Sequence, residues 1–288
     1  MFIPLRVRSN YSLLYGASRL EEILETAGQL GYPALALADR QAMYGAIPFY
    51  EAARAAGLRP ILGLELSTGS GAAEESALVL ARNLAGYRTL CRLATAQQLA
   101  GCTSSTEGCR GQAKPGHDPR FVARPSWPGL RPDHGAPSFD LPSALARWHE
   151  SVFVIALSAR ILPKLRGPVP DESLFAGLAL YGDRSNRLEQ DGLARAARQF
   201  RVPLVAAPEV AFHTPSRHGI HRILRATAAG RLAAEIPLRN LAHPKAHLRP
   251  PGEMIELYRS CPEALAAAEA IADACRLELP LGGHTFPS

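Results

Sequence analysis

The chain has 288 residues, 47% hydrophobic and 20% charged, with a formal charge of +6. That is ordinary for a soluble globular protein with one large α/β domain or two small ones. The opening residues Met1-Phe2-Ile3-Pro4-Leu5-Arg6 hold no apolar signal-peptide core, and no apolar run approaches the ~20 residues of a membrane span. Five cysteines (Cys91, Cys102, Cys109, Cys261, Cys275) without a C-x-x-C pair exclude a disulfide scaffold or a zinc ribbon and point to a reducing cytoplasm. The basic balance fits an acidic partner such as nucleic acid. It equally fits an Arg-rich genome composition, since Lys occurs only as Lys114, Lys164 and Lys245.

Residues 2–9 read as a strand. Ser18-Arg19-Leu20-Glu21 has the form of a capping box, and Leu20, Ile23, Leu24, Ala27 and Leu30 follow at helical spacing until Gly31. A short apolar run at 34–38 predicts a buried parallel strand, 46–56 a helix ended by Gly57, 59–66 and 77–81 strands, and 84–100 a helix. Between residues 101 and 142, Gly, Pro, Ser and Arg displace aliphatics, which predicts a flexible surface insertion. Strands follow at 152–157, 174–180 and 203–207, and helices at 186–200, 215–229, 252–258 and 262–275. The alternation predicts a parallel α/β sheet or barrel.

Several blocks carry a family resemblance. Leu5-Arg6-Val7-Arg8-Ser9-Asn10-Tyr11-Ser12-Leu13-Leu14-Tyr15-Gly16 resembles the N-terminal signature of the polymerase and histidinol phosphatase (PHP) domain. Leu35-Ala36-Leu37-Ala38-Asp39-Arg40 resembles its second motif, Pro60-Ile61-Leu62-Gly63-Leu64-Glu65 its third, and Pro208-Glu209-Val210-Ala211-Phe212-His213 its closing motif. Leu80-Ala81-Arg82-Asn83-Leu84-Ala85-Gly86-Tyr87, His247-Leu248-Arg249-Pro250 and Cys261-Pro262-Glu263-Ala264-Leu265 are similar to segments of bacterial C-family DNA polymerases, the DNA polymerase III alpha group, leaning to its error-prone type. The resemblance implies a distorted (β/α)7 barrel over residues 1–229 and a helical linker over 230–288 leading toward a polymerase core. It further implies work in DNA replication or translesion repair, with the core, other replication or repair subunits and DNA as partners. No Asp-x-Asp pair of the polymerase kind occurs, so the chain is not expected to join nucleotides itself.

Metal-dependent members of that family converge His, Asp and Glu from several strand ends on two or three divalent ions, zinc or manganese, which activate water and hold phosphate oxygens. By the resemblance, Arg6 and Arg8 stand at two of the histidine positions, Tyr15 at an acidic position, Arg40 at a third histidine, Glu209 at an aspartate and Ala211 at the last histidine. Only Asp39, Glu65 and Glu209 keep ligand chemistry, because a guanidinium stays protonated and offers no lone pair. Residues at i and i+2 of a strand share a face, so Arg6 and Arg8 point the same way. Two arrangements follow: Arg6, Arg8 and Arg40 neutralise Asp39, Glu65 and Glu209 in place of metal, or the arginines line a phosphate or DNA-backbone site. The expectation is a scaffold with a degenerate metal site and no metal; the alternative is a phosphoesterase or 3′–5′ exonuclease with residual activity.

Among other residues, His213, His218 and His221 are read as surface histidines before a replacement metal site, and His243 and His247 as loop residues. His117, His134, Asp183, Glu189 and Asp191 are read as solvated, and Cys102 and Cys109 as incidental thiols. Arg110, Arg120, Arg124 and Arg131 of the insertion offer a phosphate-binding alternative.

Overall fold

The computed structural model describes residues 1–69, 74–100 and 139–282. Six strands form one sheet in chain order: β1 (Ala34–Arg40), β2 (Arg59–Thr68), β3 (Glu75–Ala81), β4 (Val152–Ala156), β5 (Leu174–Leu178) and β6 (Leu204–Ala206). β1–β2, β4–β5 and β5–β6 are parallel, whereas β3 runs antiparallel to both neighbours. The expectation of an all-parallel sheet fails at β3 for a steric reason. The connection from β2 to β3 is too short for a crossover, which takes a dozen or more residues, so the chain must turn back as a hairpin.

Residues 4–8 curl the sheet into a barrel. Val7 bridges Leu37 on one side and Val210 on the other, both in parallel. Val7 N donates to Ala36 O at 3.1 Å, Ala38 N to Val7 O at 2.7 Å, Arg8 N to Val210 O at 2.8 Å and Val210 N to Arg6 O at 2.9 Å. The stave is shorter than the strand predicted over 2–9, because Pro4 brings no N–H and the chain enters a turn after Ser9. With it the curled sheet has seven staves among the described residues.

Helices α1 (Leu20–Gln29), α2 (Ala46–Ala55) and α3 (Leu84–Ala100) follow their predicted spans and bury one face each. The cap of α1 lies one residue later than predicted: Arg19 N donates to Glu22 Oε2 at 2.9 Å, not to Glu21. Ser18 is drawn away instead, its Oγ accepting His213 N at 2.9 Å. A short helix α4 (Leu141–Arg147), capped by Asp140, occupies the end of the segment read as a flexible insertion; the rest of that segment, with His117, His134, Cys102, Cys109 and its arginines, lies outside the described residues. After α5 (Leu162–Leu165) comes α6 (Arg184–Phe200), capped by Asp183, which accepts from Asn186 N. α7 (His218–Ala229) starts after a 3₁₀ turn at Pro215–Arg217, and α8 (Pro251–Leu257) and α9 (Pro262–Ala274) close the chain, α9 packing against β6. Among the described residues no helix is long and apolar enough to cross a membrane.

Candidate functional site

The barrel mouth gathers side chains from three staves and the segment after β6. Arg6 and Arg8 come from the closing stave, Asp39 and Arg40 from the end of β1, Glu65 from β2 and Glu209 from the segment after β6. Arg6 and Arg8 both turn to Glu65. Arg6 Nε donates to Oε2 at 2.7 Å and Nη2 to Oε1 at 3.1 Å, while Arg8 Nη2 donates to Oε2 at 2.5 Å. Arg8 Nη1 also lies 2.6 Å from Glu209 Oε1. The angle of that second pair is poor, so both atoms are buried without a directed hydrogen bond and the contact is one of charge. Arg8 is 2% exposed and Glu65 3%.

Burial by itself would discharge these groups, yet the opposite charges win. Glu65 is held far below the usual carboxylate range: burial raises it, but Arg6 and Arg8 lower it more. Glu209 is lowered against its burial by Arg8 and then Arg6. Arg8 rises well above the usual range, burial being overcome by Glu209 and Glu65.

Asp39 does not join this ion cluster, contrary to expectation. Its carboxylate accepts Ser9 N at 2.8 Å, Ser9 Oγ at 2.9 Å and Ser12 Oγ at 2.6 Å. Burial pushes its pKa up to about 6 despite those bonds. Arg40 departs too: Nη2 donates to Glu74 Oε1 at 2.7 Å. The physical reason is local. The loop after the closing stave folds over Asp39, with Ser12 N bonded to Ser9 O at 2.9 Å and Gly16 N to Ser12 O at 2.9 Å. Its serines reach the carboxylate before any guanidinium can. Only glycine fits at position 16, where a Cβ would stand 1.8 Å from Ser9 O.

That loop delivers Tyr15 onto the arginines. Its ring centroid lies 4.4 Å from Arg8 Cζ, 5.0 Å from Arg40 Cζ and 5.2 Å from Arg225 Cζ, the last from α7. Burial and then the Glu209 charge push the Tyr15 phenol up to about 12. Tyr181 pins Glu209 from behind: its hydroxyl accepts Glu209 N at 3.0 Å and donates to Glu209 O at 3.2 Å. Ala211 is fully buried and leaves only a methyl where the resemblance implies a ligand.

The histidines are not the surface residues predicted. His221 is fully buried; its Nδ1–H donates to Tyr15 O at 2.7 Å and its Nε2 accepts Ala242 N at 2.8 Å, which fixes a neutral ring. His218 packs on Phe212 with its Nε2 buried and unpartnered, and His213 Nδ1 meets Ser18 Oγ at 2.7 Å. His243 and His247 lie between helices as predicted, the former stacked on Tyr181 at 4.3 Å and paired with Asp183 at 3.0 Å. Asp183 is thus a helix cap in contact with His243, not merely solvated. Asp191 is exposed as expected, and the Glu189 side chain lies outside the described residues.

The donor set does not fit the metals that the resemblance implies. Positions 6, 8 and 40 present cations, position 211 presents a methyl, and the oxygens of Glu65 and Asp39 are already engaged. Among the described residues no three His, Cys, Asp or Glu side chains are placed to hold a metal ion. A dication beside Arg8 would meet a fixed positive charge in a dry site.

Ser9, Ser12, Glu74, Tyr181 and Arg225 were not anticipated as part of this site. The two serines carried a readable signal, since they stand three apart in the turn that follows the stave. Arg225 and Tyr181 come from distant elements and carried none.

Residues 4–124 match the PHP domain family. The DNA polymerase III subunit alpha of Bacillus subtilis is 28% identical over 100% of this chain and 24% of its own length. Error-prone DNA polymerases of Symbiobacterium thermophilum and Mycobacterium bovis are 31% and 33% identical over 99% of this chain and 26% of their own length. The chain therefore spans about a quarter of the length of the curated relatives it matches. An amidohydrolase structure from Chromobacterium violaceum is 14% identical with a TM-score of 0.46, covering 74% of this chain and 88% of its own, a likeness too low to carry an argument. Residues 4–124 thus match the PHP domain family, and the chain is similar along its whole length to bacterial DNA polymerase III alpha subunits and error-prone DNA polymerases.

Proposed function

We propose that this chain is a non-catalytic PHP scaffold of the bacterial replicative and error-prone polymerase group, in which guanidinium groups have taken the electrostatic place of metal ions. The observation that carries the reading is Arg8, buried between Glu65 and Glu209 with Arg6 bonded to the same Glu65. Two carboxylates suited to metal are satisfied by two permanent cations, so the barrel mouth stays neutralised without chemistry. In this reading residues 1–229 form the barrel unit and 230–288 lead toward a polymerase core, the partner that the names of the relatives suggest. The setting is cytoplasmic DNA replication or translesion repair.

The test uses the 288-residue chain supplied with Zn²⁺ or Mn²⁺, a chromogenic phosphate monoester and a 3′-labelled oligonucleotide. The reading predicts no metal-dependent release from either substrate, together with co-elution of the chain with a C-family polymerase core segment. Metal-dependent hydrolysis that is abolished by Glu65→Gln would instead establish the residual phosphoesterase or exonuclease.

A further inference from the structure

Helix α6 carries a row of charge that the barrel mouth does not use. Arg184, Arg187, Arg195 and Arg198 follow at i, i+3, i+11 and i+14, which sets them on one face, and Arg201 continues the row past the last turn. All five are exposed. At 1.5 Å per residue the helical members span about 21 Å. The opposite face is fixed to the core. Leu193 and Ala197 are buried, Asn186 Nδ2 donates to Ala179 O at 2.8 Å, Asn186 Oδ1 accepts Tyr181 N at 2.9 Å, and Gln190 Oε1 accepts Ala179 N at 3.0 Å. The row therefore stands on a rigid support.

Helix stability does not account for the row. Arg184 and Arg187 stand in the first turn, where the macrodipole favours acids, and that turn holds none. Ion pairing does not account for it either, since none of the five guanidiniums forms a salt bridge with a described carboxylate. Asp191, exposed on the same face, leaves the row strongly positive. A row of fixed, uncompensated cations fits a polyanion whose charges are regularly spaced. The one aromatic residue of α6, Phe200, is half-buried and packs on the core, so the outward face offers no ring on which single-stranded bases would stack.

We propose that the outward face of α6 binds the backbone of duplex nucleic acid, without reading its sequence, through Arg184, Arg187, Arg195, Arg198 and Arg201. The surface lies on a different element from Arg6, Arg8, Glu65 and Glu209, and it holds whether or not those residues replace metals. It grips the duplex and takes no part in chemistry.

The experiment titrates the full chain into a short labelled DNA duplex, and into one of its strands alone, by fluorescence anisotropy from about 50 to 200 mM KCl. The proposal predicts saturable duplex binding whose log K falls with log salt at a slope of about −4, as for four or five phosphate contacts. Arg195→Gln/Arg198→Gln, in which Gln keeps the helix propensity, should weaken binding at least about tenfold and reduce the slope by about 2. Arg195→Lys/Arg198→Lys restores the charge and should return affinity to within about threefold of the parent, which separates lost charge from a lost fold. Arg88→Gln/Arg92→Gln removes the same charge from exposed positions of α3 and should change affinity less than about twofold. No saturable duplex binding, tighter binding of the single strand, affinity that Arg195→Gln/Arg198→Gln leaves unchanged, or an equal loss in the α3 variant overturns the proposal.

Discussion

Arg8 and Glu65 meet at 2.5 Å in the barrel mouth, with 2% and 4% of their side chains exposed. Neither can be removed alone without stranding a charge in a dry site. Glu65→Gln, which leaves Arg6 and Arg8 without their shared carboxylate, is expected to cost about 3–5 kcal/mol. Arg8→Met should cost a similar amount by stranding Glu65 and Glu209. The double variant should lose less than the two singles added, by at least about 1 kcal/mol, in urea melts at pH 7.

The pH dependence should have two opposing limbs. Glu65 and Glu209 titrate lower in the folded chain than in the unfolded one. Their stabilisation is therefore present above the ordinary carboxylate value of 4.5 and lost as pH falls through their folded values. Asp39 has the opposite sign. Its pKa is raised from 3.8 to about 6, so its favourable contribution is full below 3.8 and lost as pH rises through 6. Asp39→Asn should flatten the fall in stability between about pH 4 and 6, a change on the order of 2 kcal/mol, while leaving the acid limb in place.

Most of the secondary structure was legible because apolar periodicity is a local signal. The β1 and β2 runs and the faces of α1 and α3 are written in adjacent residues. What escaped was relational. The antiparallel course of β3 could have been read from the short gap before it, but the parallel alternation elsewhere obscured it. The Ser18 cap was misplaced because a distant backbone N–H, that of His213, competes for its hydroxyl. In the site, Arg6, Arg8, Glu65 and Glu209 were legible through the resemblance of their motifs to the PHP family. The choice between a guanidinium and two serines at Asp39 depended on how one loop curls, and Arg225 reaches Tyr15 from a helix more than two hundred residues away in the chain.

The loop that covers Asp39 should depend on Gly16. A methyl there would collide with Ser9 O at 1.8 Å, and that oxygen belongs to backbone already bonded to Ser12 N. Gly16→Ala is expected to destabilise by about 2 kcal/mol or more. It should also raise amide exchange at Ser12 and Tyr15 ahead of the β-sheet.

Tyr15 should matter more through its ring than its hydroxyl. Tyr15→Phe keeps a face for Arg8, Arg40 and Arg225 and should cost about 1 kcal/mol. Tyr15→Ala removes that face and the packing with His221, whose ring centroid lies 4.8 Å away, and should cost about 2–3 kcal/mol. Thermal melts of the two variants beside the parent chain would rank them.

The proposed exchange of metal for guanidinium is tested most directly by the metal content of the chain, purified without chelator and measured by inductively coupled plasma mass spectrometry. The account predicts well under one equivalent of zinc, manganese or iron per chain, and an unchanged melting temperature after treatment with EDTA. Two or more equivalents that survive dialysis, and are lost on Glu65→Gln, would contradict it.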